Sequence, residues 1–202
     1  MGQRLNIEIK RKDKLLANAY YHWSAYTTSA SELTINIINR FDKIMNKNCS
    51  DTAKAILLLQ TTGAGLEVSG VNDELEYAKE NLEDNEETFE LFKTQDDRNE
   101  GLICINPEEM DNTERWEEGR VTVNIDTKTI DFDVVWVSDK EGWKDEEYTD
   151  EDYEKLVEFP LDHTWGITFE EFKDLDFFFQ NAYDKGIWYF KYKDEQVISM
   201  IE

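Results

Sequence analysis

The sequence feature that constrains the fold most is a pair of runs in which apolar and polar residues alternate. A short polar turn separates the two runs. The first run extends from Val121 to Ile125 and the second from Ile130 to Trp136. Alternation with a period of two is typical of strands that bury one face. Two such runs across a short turn predict a β-hairpin at residues 120–137.

The remaining pattern predicts helices and strands in an irregular order. Residues 3–10 alternate like a half-buried strand, and the apolar spacing after Asp13 predicts a long helix that ends near Asn46. Shorter helices are expected at 51–59, 73–92, 107–116, 150–157 and 168–179, and strands at 103–105, 187–192 and 196–201. This order favours an α+β fold with a mostly antiparallel sheet, packed by the long N-terminal helix and several shorter helices, as a single domain over residues 1–202.

The amino-acid composition limits the kinds of molecule that this protein is expected to bind. The 46 acidic and 22 basic residues give a net charge of −24, and 13% of the residues are aromatic. The aromatic content argues against disorder, and the charge argues against direct binding to nucleic acid or to an anionic membrane. With no signal-peptide or membrane-spanning run, we expect a cytoplasmic protein, and Cys49 and Cys104 are expected to be reduced thiols.

The charge is distributed unevenly. Residues 1–71 carry nine basic and six acidic side chains, whereas residues 72–202 carry thirteen basic and forty acidic ones. The first part is predicted to be mainly helical and the second to mix helices and strands. This asymmetry is the most informative feature of the sequence.

The acidic blocks suggest a surface that imitates a nucleic-acid backbone. In a helix over 73–92, four carboxylates would occur about once per turn along one face: Glu76, Glu80, Glu83 and Glu87. In the second block, Trp143 lies next to Asp145, Glu146 and Glu147, and an exposed aromatic side chain among acids is typical of an interface. A solvated acidic surface that only keeps the protein in solution is the alternative.

An aromatic stretch near the N-terminus suggests a second kind of site. Tyr20, Tyr21, His22, Trp23 and Tyr26 occur within seven residues, and four of them are consecutive. On a helix, consecutive residues point in every direction, so some of these rings would be exposed or would line a pocket. Such a pocket suits a planar, polar, nucleotide-like ligand, whereas a helix buried between two layers is the alternative.

The sequence supports a catalytic function less than it supports either kind of binding. No nucleophile-elbow, P-loop or calcium-loop pattern occurs, and His22 and His163 are the only histidines. A carboxylate- or metal-dependent hydrolase is the third interpretation, and Asp131 with Asp133 is one pair of acids on a single strand face. We expect no enzyme activity, no cofactor and no metal site.

The segments Gln3–Ile9 and Leu16–Tyr26 resemble small uncharacterised proteins of phages and prophages of Gram-positive bacteria. The resemblance implies a viral accessory protein of the kind that counters host defence, and it carries no catalytic residue. We therefore expect a non-enzymatic inhibitor that binds a host nucleic-acid-binding or defence protein by charge mimicry, through acidic segments 73–118 and 139–154. Binding of a nucleotide-like small molecule by the aromatic stretch is the alternative function.

Overall fold

A computed structural model gives the structure of residues 4–22, 24–25, 27–66, 101–114, 117–133, 165–173, 190–193 and 196–199. The elements in chain order are β1 (Leu5–Arg11), β2 (Lys14–Tyr21), α1 (Thr27–Met45), α2 (Asp51–Gln60), β3 (Ala64–Leu66), β4 (Gly101–Cys104), α3 (Pro107–Glu114), β5 (Gly119–Asn124), β6 (Thr129–Asp133), β7 (Trp165–Thr168), α4 (Phe169–Phe172), β8 (Phe190–Lys193) and β9 (Gln196–Ser199).

Seven strands form one mixed sheet in the order β3-β4-β2-β1-β5-β6-β7. The pairs β1–β5 and β3–β4 are parallel, and the other four pairs are antiparallel. Strands β8 and β9 pair antiparallel in a separate two-stranded sheet. The fold is therefore α+β with a mixed sheet.

The two faces of the large sheet differ in chemistry because side chains alternate along each strand. In β1, Leu5, Ile7 and Ile9 are fully buried on the apolar face, and Asn6 and Glu8 are fully buried on the opposite, polar face. Helix α2 contacts β1 to β4, and α1 packs against α2. The core lies between the apolar face and these helices.

Aromatic contacts extend this core towards β6 and β7. Phe41 of α1 meets Phe169 of α4 edge to face, with ring centroids 4.9 Å apart. Phe132 of β6 packs against Phe172, with centroids 5.4 Å apart. Offset and edge-to-face rings add about 0.5–1.5 kcal/mol per pair beyond the area they bury. The short helix α4 is thus attached to both α1 and the sheet.

The predicted helix over residues 13–46 is wrong in its first third. Residues 14–21 form strand β2, and the helix begins only at Thr27. Asp13 is part of a tight turn in which Lys12 has a φ of 54°, so it does not cap a helix. The small side chains of Ala17 and Ala19 leave room for α2 to cross this strand, and tertiary packing then overrides the low strand propensity of Ala.

Several other expectations can be compared with the structure. The predicted helix at 51–59 is confirmed as α2, and the Ser50 hydroxyl caps it by accepting a hydrogen bond from the Ala53 amide at 3.1 Å. The predicted start of a helix at residue 168 agrees with α4, which Thr168 caps with a reciprocal capping box to Glu171. Strands β5 and β6 pair antiparallel as a hairpin over residues 119–133, and residues 134–137 of the predicted hairpin lie outside the described residues. The predicted helices at 73–92 and 150–157 also lie outside them.

Candidate functional site

The first three residues of the aromatic stretch, Tyr20, Tyr21 and His22, do not lie on a helix. Tyr20 and Tyr21 belong to β2, so their side chains point to opposite faces of the sheet. Tyr21 is buried in the core, where its hydroxyl bonds the hydroxyl of Thr62. Tyr20 is half-buried on the polar face, and its hydroxyl lies 3.2 Å from Nδ1 of the exposed His22. The structure does not bring the two tyrosine rings together.

The other predicted site residues lie outside the described residues. They are Trp23 and Tyr26 of the aromatic stretch and, in the acidic segments, Glu76, Glu80, Glu83, Glu87, Trp143, Asp145, Glu146 and Glu147. Of segment 73–118, the structure describes residues 101–114 and 117–118, where Glu108 and Glu109 lie in the first turn of α3. Acids are favourable at that position because of the helix dipole.

The described residues are almost neutral. They contain 14 basic and 16 acidic side chains, out of 22 and 46 in the whole chain. The rest of the chain, mainly residues 67–100 and 134–164, therefore carries nearly all of the net negative charge. The acidity belongs to particular segments of the chain, and the sheet and its helices do not share it.

A network of buried polar groups lies on the polar face of the sheet. Glu8 is fully buried, with Nζ of Lys10 2.5 Å from its Oε2 and Nε of Arg120 3.6 Å from its Oε1. Thr122 donates a further hydrogen bond to Glu8 at 3.2 Å. Asn18, opposite Glu8 in β2, donates from its Nδ2 to the hydroxyl of a threonine on α3 at 2.7 Å. This network connects three strands and a helix. Its cations, Lys10 and Arg120, compensate most of the negative charge of the buried Glu8 carboxylate.

A basic groove lies between α1 and α2, with a volume of about 580 Å³. Three cationic residues, Arg40, Lys43 and Lys47, line it and are exposed. We call this concavity the basic groove. Its other lining residues are uncharged: Asn36, Asn39, Gln60, Thr61, Ile44 and Leu57.

The sequence spacing of α1 explains why the cations share one side. Asn36, Arg40 and Lys43 follow one another at intervals of four and three residues, which places them on one face of α1, and Lys47 lies two residues beyond its end at Met45. The opposite face carries Phe41, which is buried in the core. The amphipathic pattern of α1 thus determines which of its side chains reach the groove, and this spacing could have identified the cationic face of α1 from the sequence.

The groove has a positive local charge in a strongly acidic protein. None of the nine lining residues that the structure describes is acidic. Within the described residues, Arg40, Lys43 and Lys47 form no salt bridge. Cations near the end of α1 at Met45 complement the helix dipole, but that effect is confined to the last turn. Arg40 lies outside the last turn, so the dipole does not explain its position.

Other kinds of site receive no support from the described part of the chain. It contains no group of three or more His, Cys, Asp or Glu side chains with the geometry of a metal site. None of its helices is long and apolar enough to cross a membrane. Comparisons with family models, curated proteins and solved structures find no match to this chain.

Proposed function

We propose that this protein is a non-enzymatic binding protein that holds a small phosphate-bearing ligand in the basic groove. One observation carries the proposal: three exposed cations without salt bridges among the described residues surround a concavity of about 580 Å³. Pockets for small molecules generally measure about 300–1,000 Å³. The groove is therefore of a size suited to a metabolite.

Phosphate is the anion that these side chains suit best. The planar guanidinium of Arg40 can bind two phosphate oxygens at once, and Lys43 and Lys47 add compact positive charges. A long nucleic acid would meet repulsion from the net charge of −24. A small ligand would meet mainly the local positive field of the groove.

The test is calorimetric titration of the full-length protein with pyrophosphate. We expect binding that weakens at least about tenfold in Arg40→Gln and in Lys43→Gln, since each loses a charge-assisted contact worth about 1.5–3 kcal/mol. Lys54→Gln is the matched control, because Lys54 lies on α2 and does not line the groove. Equal affinities in all four proteins, or no binding by the parent protein, would contradict the proposal.

Charge mimicry is the second candidate function, and the charge distribution favours it. The described scaffold is nearly neutral, whereas the segments outside it hold 30 of the 46 acids and 8 of the 22 bases. If the acids served only to keep the protein in solution, the scaffold surface would carry its share of them. We propose that segments 73–118 and 139–154 bind a basic, nucleic-acid-binding host protein involved in defence.

This candidate is tested by capture from host lysate at low and high salt. We expect the parent protein to retain a nucleic-acid-binding protein that high salt releases, because screening weakens exposed charge pairs. Glu76→Lys with Glu80→Lys should abolish capture. Glu32→Lys with Glu170→Lys changes the net charge equally, at exposed residues outside both acidic segments, and should leave capture intact. Loss of capture in both double variants would show that only total charge matters.

A further inference from the structure

We infer that the ligand of the basic groove is a nucleotide, with its phosphates at the cationic end of the groove and its base at an uncharged amide end. This inference rests on the proposed function and adds the class of ligand and its orientation. It follows from the order in which charged and uncharged side chains occur along α1.

The lining residues of α1 change in character along the helix axis. The amides Asn36 and Asn39 come first, Arg40 follows, and Lys43 and Lys47 lie towards the C-terminal end. At a rise of 1.5 Å per residue, the seven steps from Asn36 to Lys43 span about 10 Å, and Lys47 lies beyond the end of α1. The groove is therefore long enough to have two distinct ends.

Helix α2 adds uncharged polar groups to the lining of the groove. It begins at Asp51, a few residues after α1 ends at Met45, and packs against α1. The last residue of α2, Gln60, and the following Thr61 line the groove together with the residues of α1.

Two apolar side chains form part of the floor of the groove. Ile44 and Leu57 line the groove and are largely buried, with 7% and 9% of their surfaces exposed. An apolar floor suits the face of a heterocyclic ring. The exposed amides of Asn36 and Asn39 each present a donor beside an acceptor, which is the pattern that pairs with the edge of adenine. An inorganic anion would use the cationic end alone.

The test compares three probes by calorimetry on the full-length protein: pyrophosphate, ADP and adenosine. We expect ADP to bind at least about tenfold more tightly than pyrophosphate, because a good amide–base pair is worth about 1–3 kcal/mol. Adenosine should bind far more weakly than ADP. Asn39→Leu should weaken ADP about tenfold and leave pyrophosphate unchanged, whereas Arg40→Gln should weaken both.

The outcomes separate this inference from the proposed function. Pyrophosphate binding with no gain for ADP would overturn the nucleotide inference and leave the anion site in place. Failure of both probes to bind would overturn both. Asn46→Leu is the control for Asn39→Leu, because Asn46 is exposed beyond the end of α1 and does not line the groove. Equal losses of ADP affinity in these two variants would also overturn the inference. Circular dichroism of each variant establishes that α1 remains helical.

Discussion

Gly101 of β4 lies so close to the ring of Tyr21 that a methyl group would have no room. A Cβ at this position would lie 2.6 Å from Cε1 of Tyr21 and 3.1 Å from Cβ of Ala64. The hydrogen bond to Thr62 holds the tyrosine ring in place. We expect Gly101→Ala to lower the free energy of unfolding by about 1–3 kcal/mol, the usual cost of overpacking, as measured by urea denaturation.

A double-mutant cycle identifies the clash as the cause. In a Tyr21→Leu background the ring is absent, so Gly101→Ala should cost less than it does in the parent protein. The same cost in both backgrounds would mean that the backbone at Gly101, and not the ring, requires glycine.

Substitution of Glu8 tests whether the polar network stabilises the fold. Its carboxylate is fully buried between Lys10 and Arg120. Glu8→Gln keeps the shape but removes the charge, and hydrogen bonds to charged groups contribute about 1.5–3 kcal/mol. We expect a loss of about that size in urea denaturation. Glu32→Gln, on the exposed face of α1, should stay within about 0.5 kcal/mol of the parent, and equal effects of the two variants would contradict the prediction.

Tyr20 should make stability depend on alkaline pH. Burial raises the pKa of its phenol above the ordinary value, and the neighbouring Arg4 partly opposes this shift. The folded state therefore favours the neutral phenol, and this contribution is complete below the unfolded pKa of about 10 and is lost as the pH rises through the folded pKa. We expect urea denaturation between about pH 9 and pH 11 to show a smaller decline for Tyr20→Phe than for the parent. An identical decline would exclude Tyr20 as its source.

At the scale of elements, the cap of α2 gives a direct test. The Ser50 hydroxyl accepts a hydrogen bond from the amide of Ala53, which is otherwise unpaired at the start of the helix. We expect Ser50→Ala to destabilise the protein by about 0.5–2 kcal/mol in thermal unfolding. Ser50→Asp retains an acceptor and should restore most of that stability, so equal losses in both variants would show that the cap does not stabilise α2.

Elements with a strong local chemical signal were predictable from the sequence, and an element with an ambiguous local pattern was not. Ser50 and Thr168 cap their own helices, so five or six residues suffice to identify each start. Strand β2 pairs with β1 across the tight turn at Lys12 and Asp13, and with β4 more than eighty residues later in the chain. Its alanines give a weak strand signal and the apolar residues before Thr27 also fit helical spacing, so β2 was predicted as part of a helix.

The candidate site was predictable only in part, because some of its residues come together only through the packing of two helices. The positive balance of residues 1–71 is visible in the sequence, and all three cations of the basic groove come from it. Leu57 and Gln60 join the groove only because α2 folds back on α1. The aromatic stretch was assigned to one pocket because strand geometry, which separates Tyr20 from Tyr21, was not expected there.

At the scale of the whole molecule, the net charge of −24 should oppose folding. Compact states bring like charges together, and salt screens the repulsion. We expect the urea midpoint to rise when NaCl increases from about 0.02 M to about 0.3 M. Because the described scaffold has 14 basic and 16 acidic residues, the gain should come from the acidic segments. A midpoint that falls with salt would show that attractive pairs, such as Arg11 with Asp51 and Asp126, outweigh the repulsion.

The position of β1 between β2 and β5 has a consequence for synthesis on the ribosome. Leu5 pairs with Tyr21 on one side and with Gly119 on the other. Chains elongate at about 5–20 residues per second, so roughly 5–20 seconds separate the emergence of the two partners. Throughout that time one edge of β1 has no strand to pair with, although the strand later lies at the centre of the sheet. A nascent chain halted between these points would present this edge to chaperones or to other nascent chains.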